Sequence, residues 1–179
     1  MKTKRSFLPL RLAVATVLTL FFVFSLATNA ENSPVSIESK NVSTIQTDIQ
    51  NAINSAESGG IVTVTGSKTG ADATLNLSIP EGVTVLWQAE YADNGLFTSG
   101  LISLSGAGTF EVGAGGSISS SSSRSSNSIN IYSQSNNITI TVSDAGKVQT
   151  TGDCAIYTTG SISITGGEVS ATSGTAIIP

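Results

Sequence analysis

The acids along the β-rich part that could carry acid–base or metal chemistry are Asp72, Glu81, Glu90, Asp93, Glu111, Asp144, Asp153 and Glu168. These acids stand singly along the sequence, mostly between short apolar runs. Hydrolysis by general acid and base needs two carboxylates held close together. Asp144 and Asp153 are the nearest pair the spacing offers, and both read more simply as turn residues, a role Asp fills by bonding to its own backbone. The chain has no histidine. Cys154, the single cysteine, therefore has no imidazole to activate it and reads as a small buried hydrophobe. It also leaves the fold without an intramolecular disulfide. No calcium-binding nonapeptide repeat, EF-hand loop, phosphate-binding loop or nucleophile elbow is present. We therefore expect no catalytic residue, no metal ligand and no cofactor, and the balance leans away from an enzyme.

Aromatics and acids gather at one place, Trp87-Gln88-Ala89-Glu90-Tyr91-Ala92-Asp93-Asn94-Gly95. As a surface loop it would stack a sugar ring on Trp87 or Tyr91, with Gln88, Glu90, Asp93 and Asn94 meeting the hydroxyls. The alternative has Trp87 ending a strand and packing inside, where Trp usually lies, with the rest a wide turn. A ligand site is expected in this loop if the chain has one.

The elements that must position these residues follow from composition and pattern. Hydrophobic residues make up 39% and charged residues 11% of the 179, well below the usual charged quarter. Ile, Val and Thr recur throughout, which argues for short packed strands instead of disorder. The first thirty residues read as a secretory signal peptide. Lys2, Lys4 and Arg5 precede an apolar run from Leu12 to Ala27, and Thr28 and Ala30 suit cleavage before Glu31. Left uncleaved, the run would anchor the chain, the only membrane contact expected. Cleavage removes four of eight cations and none of the twelve acids, leaving net −8. That charge repels nucleic acid. The expected location is secreted or at a cell surface.

Residues 31–42 are polar, contain Pro34 and read as a linker to a domain over 43–179. A helix follows, with Thr44 or Ser43 as N-cap and Ile45, Ile49, Ala52, Ile53 and Ala56 on one face. Gly59-Gly60 ends it. Ile61, Val62 and Val64 then start a strand closed by Gly66. Beyond lie short β-rich runs: Leu75 to Ile79, Val83 to Trp87, Leu101 to Leu104, Thr109 to Val112, Ser128 to Tyr132, Ile138 to Val142, Lys147 to Thr150 and Ser161 to Thr165. Ser117 to Ser128 is low in complexity and reads as an excursion from the core.

Self-similarity selects the architecture. Lys147-Val148-Gln149-Thr150 is echoed by Glu168-Val169-Ser170-Ala171, and Ala155-Ile156-Tyr157 by Ala176-Ile177-Ile178, both 21 positions on. Ile138-Thr139-Ile140-Thr141 returns as Ile162-Ser163-Ile164-Thr165, aligned at an offset of 24. A period of about 20–25 residues holding two or three short strands suits one solenoid coil. The repeat stops midway at Pro179, so we expect a piece of a longer protein or a partner at that end, end-to-end self-association included.

The segment Ile45-Gln46-Thr47-Asp48-Ile49-Gln50-Asn51-Ala52-Ile53, leading through Gly59-Gly60 into Ile61-Val62-Thr63-Val64, resembles the opening of pectate-lyase-like right-handed β-helix proteins. There a helix with an "IQxAI" pattern caps the barrel. Ile162-Ser163-Ile164-Thr165-Gly166-Gly167-Glu168-Val169-Ser170-Ala171-Thr172 resembles the "ITGGxVxAT" repeats of bacterial cell-surface proteins, described as adhesin-like or carbohydrate-binding. The resemblance implies an all-β, right-handed parallel β-helix with a capping helix, and a polysaccharide or a host or cell-surface glycan as partner. The expected function is non-catalytic adhesion, glycan contact or structural display. The alternative is a polysaccharide lyase or hydrolase whose active residues are missing or assembled across coils. Such lyases use calcium-binding acids with a basic residue, and the related hydrolases use clustered Asp with His. This sequence departs from both patterns.

Overall fold

The computed structural model describes residues 33–93, 100–121 and 129–179. The signal peptide expected over 1–30 lies outside these residues. A short strand β1 (Val35–Ser36) and a helix α1 (Val42–Ser55) precede five coils of three strands each. The first coil comprises β2 (Ile61–Thr65), β3 (Ser67–Ala71) and β4 (Leu75–Ile79). The second has β5 (Thr84–Trp87), β6 (Glu90–Asp93) and β7 (Ile102–Gly106), and the third β8 (Thr109–Val112), β9 (Ser117–Ser120) and β10 (Ile129–Ser133). The fourth has β11 (Thr139–Ser143), β12 (Lys147–Thr150) and β13 (Cys154–Thr158), and the fifth β14 (Ser161–Thr165), β15 (Glu168–Ala171) and β16 (Thr175–Ile178). Every strand pairs in parallel with its equivalent one coil away, giving three sheets in the orders β1-β2-β5-β8-β11-β14, β3-β6-β9-β12-β15 and β4-β7-β10-β13-β16. The chain is a parallel β-solenoid with one helix near its start.

Alternation within each strand builds the core. On the first sheet Val62, Val85, Phe110, Ile140 and Ile162 form one column, and Val64, Trp87, Val112, Val142 and Ile164 the next. On the third sheet Leu75, Ile102, Ile131, Ile156 and Ile177 stack likewise. Successive side chains of a strand point to opposite faces, so each column collects one residue per coil and most intervening Ser and Thr face out; Asn130 is an exception, fully buried and donating to the Ile118 and Gln149 carbonyls. Gly106 shows why corners need glycine. Its φ is +99°, and a Cβ would lie 2.1 Å from the Ile79 carbonyl oxygen.

The helix covers the first coil. Val42, Ile45, Ile49 and Ile53 are buried against the barrel end. The N-cap is Asn41, not Ser43 or Thr44: its side chain accepts a 2.8 Å bond from the Thr44 amide. Asn is as good a cap as Ser, and Ser43 is already inside the first turn. Gln46 and Gln50, one helical turn apart, reach the exposed edge of β4 and accept from the Asn76 and Ser78 amides at 2.9 Å. Two side-chain amides thus stand where a preceding strand's carbonyls would be. Glu38 does the same for β3, accepting from the Ser67 amide at 3.1 Å. The fifth coil has no such cover among the described residues: Ile164 is 43% exposed where its counterpart Val142 is fully buried.

Several expectations are corrected. The segment read as a linker carries β1, which pairs with Val64–Thr65, and Ile37 is fully buried. Two paired residues are too few to produce a readable alternation. Ser117–Ser120, expected to leave the core, is β9, paired with β6 and β12 and anchored by buried Ile118. One inward Ile per four-residue strand suffices when both neighbours are in place. Ser122 to Ser128 lie outside the described residues. The offset of 24 is in fact 22, with Ile140 opposite Ile162 and Val142 opposite Ile164. A slip of two residues keeps every side chain on its face, so alternation alone cannot detect it. Coils also run longer than expected: Lys147 pairs with Glu168, 21 positions on, but also with Ser117, 30 positions back.

A hydroxyl-lined cleft as the candidate functional site

Over Trp87 to Asp93 the aromatic segment does not form a wide turn. Trp87 ends β5 and Tyr91 lies in β6, both with no exposed surface, their ring centroids 5.6 Å apart in an edge-to-face contact. Trp87 also lies 5.7 Å from Phe110 of the next coil. Neither ring is available to a sugar. The reason is parity: Trp87 is two residues beyond buried Val85, and both belong to the inward set. The Gln88 backbone amide donates to the Val64 carbonyl of the preceding coil at 2.8 Å. Glu90 faces solvent and accepts from Ser67 Oγ at 3.0 Å. Asn94 lies outside the described residues. The structure thus brings Trp87 and Tyr91 together inside the barrel, away from exposed Glu90.

Among the described residues of the expected site, Asp93 alone lines this cleft. Its Oδ2 accepts from Ser120 Oγ at 2.7 Å and its Oδ1 from the Ser121 amide at 3.2 Å. The cleft, about 440 Å³, runs over the second sheet and is lined by Ala92, Asp93, Ser119, Ser120, Ser121, Gln149, Thr150, Thr151, Ser170 and Thr172. Ala92, Ser119, Gln149 and Ser170 are in register, one per coil, so the outward row repeats at the strand spacing of about 4.8 Å. Gln149 Nε2 donates to Glu168 Oε1 at 2.9 Å, which fixes its amide within the row. Hydroxyls both donate and accept, so the surface offers a regular lattice of hydrogen-bonding groups. Asp93 is the one ionisable side chain among its described lining residues.

Glu90, Glu111 and Glu168 lie within strands β6, β8 and β15, whereas Asp144 and Asp153 lie outside the strands. Asp144 has a φ of +46° at the corner between β11 and β12, beside Ala145 at +67°, a conformation Asp tolerates better than most residues. Asp153 lies beyond the other end of β12, whose four extended residues alone span about 13 Å. Cys154 is buried, with Sγ 3.1 Å from the Ile156 carbonyl oxygen. Burial holds its thiol above the ordinary value, so the group is a poor nucleophile.

Sequence reasoning missed the hydroxyl row because Ser and Thr are spread evenly. The signal lay in register: Gln149 and Ser170 occupy equivalent positions of the 21-residue repeat, which was legible. It also missed an outward tyrosine pair, Tyr132 and Tyr157, whose rings stack at 5.4 Å with 22° between planes. Each follows an inward Ile, in Ile131-Tyr132-Ser133 and Ile156-Tyr157-Thr158, one coil apart. Comparison with protein-family models, curated proteins and solved structures finds no match. Fold and site together define a short parallel β-solenoid with a hydroxyl-lined cleft across consecutive coils.

Proposed function

We propose that the protein is an exported, non-catalytic β-solenoid module that contacts polysaccharide or a host or cell-surface glycan, in the manner of the right-handed, pectate-lyase-like and repeat-bearing surface proteins its opening segment and repeats resemble. The observation that carries this reading is the cleft's outward row of Ser119, Gln149 and Ser170, repeated coil by coil. A polymer rich in hydroxyls meets such a row with one set of bonds per unit. Ligand sites usually combine a shaped concavity with a few placed polar groups, and here the polar groups are the wall itself. Export rests on the basic residues and apolar run of the first thirty residues.

A glycan array, together with retardation of the purified protein in gels containing soluble polysaccharides, tests the reading. At least one glycan is expected to bind, and Ser119→Trp, which fills the cleft from an outward position, is expected to abolish binding without altering the melting temperature. No binding to any glycan, host material or cell-wall material would overturn it.

A further inference from the structure

We infer that Tyr132 forms a second glycan subsite, on a different sheet from the cleft, which stacks a neutral pyranose ring over Ser103. The inference rests on the glycan reading above for its occupant and on separate residues for its site. Trp87, Tyr91 and Phe110 are fully buried, whereas Tyr132 and Tyr157 stand on the outer face of the third sheet, partly buried. They belong to one outward row in register, Asn76, Ser103, Tyr132, Tyr157 and Ile178.

Tyr157 covers one face of the Tyr132 ring. On the other side the row continues with Ser103, whose side chain is too short to stack, and then with Asn76. Tyr132 and Asn76 are two strand spacings apart, on the order of 10 Å. A pyranose stacked about 3.5–4 Å from the ring face fits above Ser103, with Asn76 beyond it. Sugar C–H groups carry partial positive charge and suit the negative face of an aromatic ring. Ser103 Oγ can donate or accept, and Asn76 Oδ1 accepts. The Asn76 amide nitrogen is already committed to Gln46 Oε1 at 3.3 Å and the Thr74 carbonyl at 3.1 Å, which orients that oxygen. Gly100 passes at the foot of Tyr132, where a Cβ would lie 3.0 Å from the tyrosine Cβ.

Charge chooses the ligand class. None of the five residues in the row is charged, and the whole chain is net −4. A polyuronide would bring carboxylates to a place with no cation in the row, so the subsite takes a neutral hexopyranose polymer.

The experiment compares wild type, Tyr132→Ala, Ser103→Glu and the cleft variant Ser119→Trp by gel retardation in a neutral soluble β-glucan, a galactan and polygalacturonate, with melting curves for each. Retardation by a neutral polymer is expected to weaken about tenfold in Tyr132→Ala and in Ser103→Glu, with Tyr132→Phe retaining it. Ser103→Glu changes only an outward position, so it reads the subsite even if Tyr132→Ala lowers the melting temperature. Binding lost in Ser119→Trp but unchanged in both row variants would overturn this subsite and leave the cleft reading intact. Tighter binding of polygalacturonate than of either neutral polymer would overturn the ligand class. Absence of retardation of the wild type by all three would overturn the subsite, while the array decides the cleft reading.

Discussion

Two groups of aromatic residues, one in the second and third coils and one in the third and fourth, face opposite ways. Trp87, Tyr91 and Phe110 point into the barrel and have no exposed surface, while Tyr132 and Tyr157 point out and stack on each other. All five occupy short strands of similar composition, so residue type does not separate them. Position within the alternation does. Tyr91 lines up with inward Ile118 and Val148, whereas Tyr132 and Tyr157 alternate with inward Ile131 and Ile156. The inner group fills volume that no water can reach, and the outer group offers the aromatic surface a ligand can use.

The comparison breaks most readily at Trp87. Trp87→Ala is expected to lower stability by about 3–5 kcal/mol, through lost burial and the cavity left behind, as read by chemical denaturation. Tyr132→Ala is expected to cost under about 1 kcal/mol, the size of a cross-strand pair. Similar losses for the two variants would show that inside and outside do not differ as described. Tyr91 sharpens the contrast. Its hydroxyl is buried without a partner among the described residues, and an unpaired buried hydroxyl costs about 1–3 kcal/mol. Tyr91→Phe is therefore expected to stabilise the fold by about 1 kcal/mol, and a loss of stability would reveal a partner for the hydroxyl.

The same phenol predicts a pH effect. Burial, and secondarily the negative charge of Asp72, raise its pKa above the ordinary value of 10.0. The folded state therefore favours the neutral phenol. This contribution is whole below pH 10 and is lost as pH rises through the window between the unfolded and the folded value, by up to about 1.4 kcal/mol per pH unit. Denaturation midpoints are expected to fall above pH 10 in the wild type and to fall less in Tyr91→Phe. The smallest effect belongs to the corner at Ala145, held at a φ of +67°. Ala145→Gly relieves that conformation, and a gain of up to about 1 kcal/mol is expected by the same denaturation measurement.

Much of the fold was legible before any coordinates. The runs Leu75–Ile79, Thr109–Val112, Lys147–Thr150 and Ser161–Thr165 are strands with the expected ends. Lys147 to Thr150 pairs with Glu168 to Ala171 at the expected 21 positions. The helix was legible through Ile45, Ile49 and Ile53, which repeat at one turn and share the buried face. Strands with one apolar anchor, such as Ser117–Ser120, were not, because a single Ile among serines has no period. The candidate site was less legible still. Trp87 and Tyr91 attracted attention as rare, chemically capable residues, and the segment's two short strands turn both inward.

The sequence by itself determined that coils exist, roughly how long the shortest are, and that a helix precedes them, because those facts depend on local periodicity and repetition. Tertiary structure decided which row each side chain joins, since a two-residue shift in register leaves the alternation intact while changing every neighbour. It also decided that serines and threonines far apart in the chain form one cleft, and that the Gln46 and Gln50 side chains complete a sheet edge. Contacts between coils join residues 21 to 30 positions apart, and hydrogen bonds across that distance are set by the stacking of the whole coil, which no local pattern encodes.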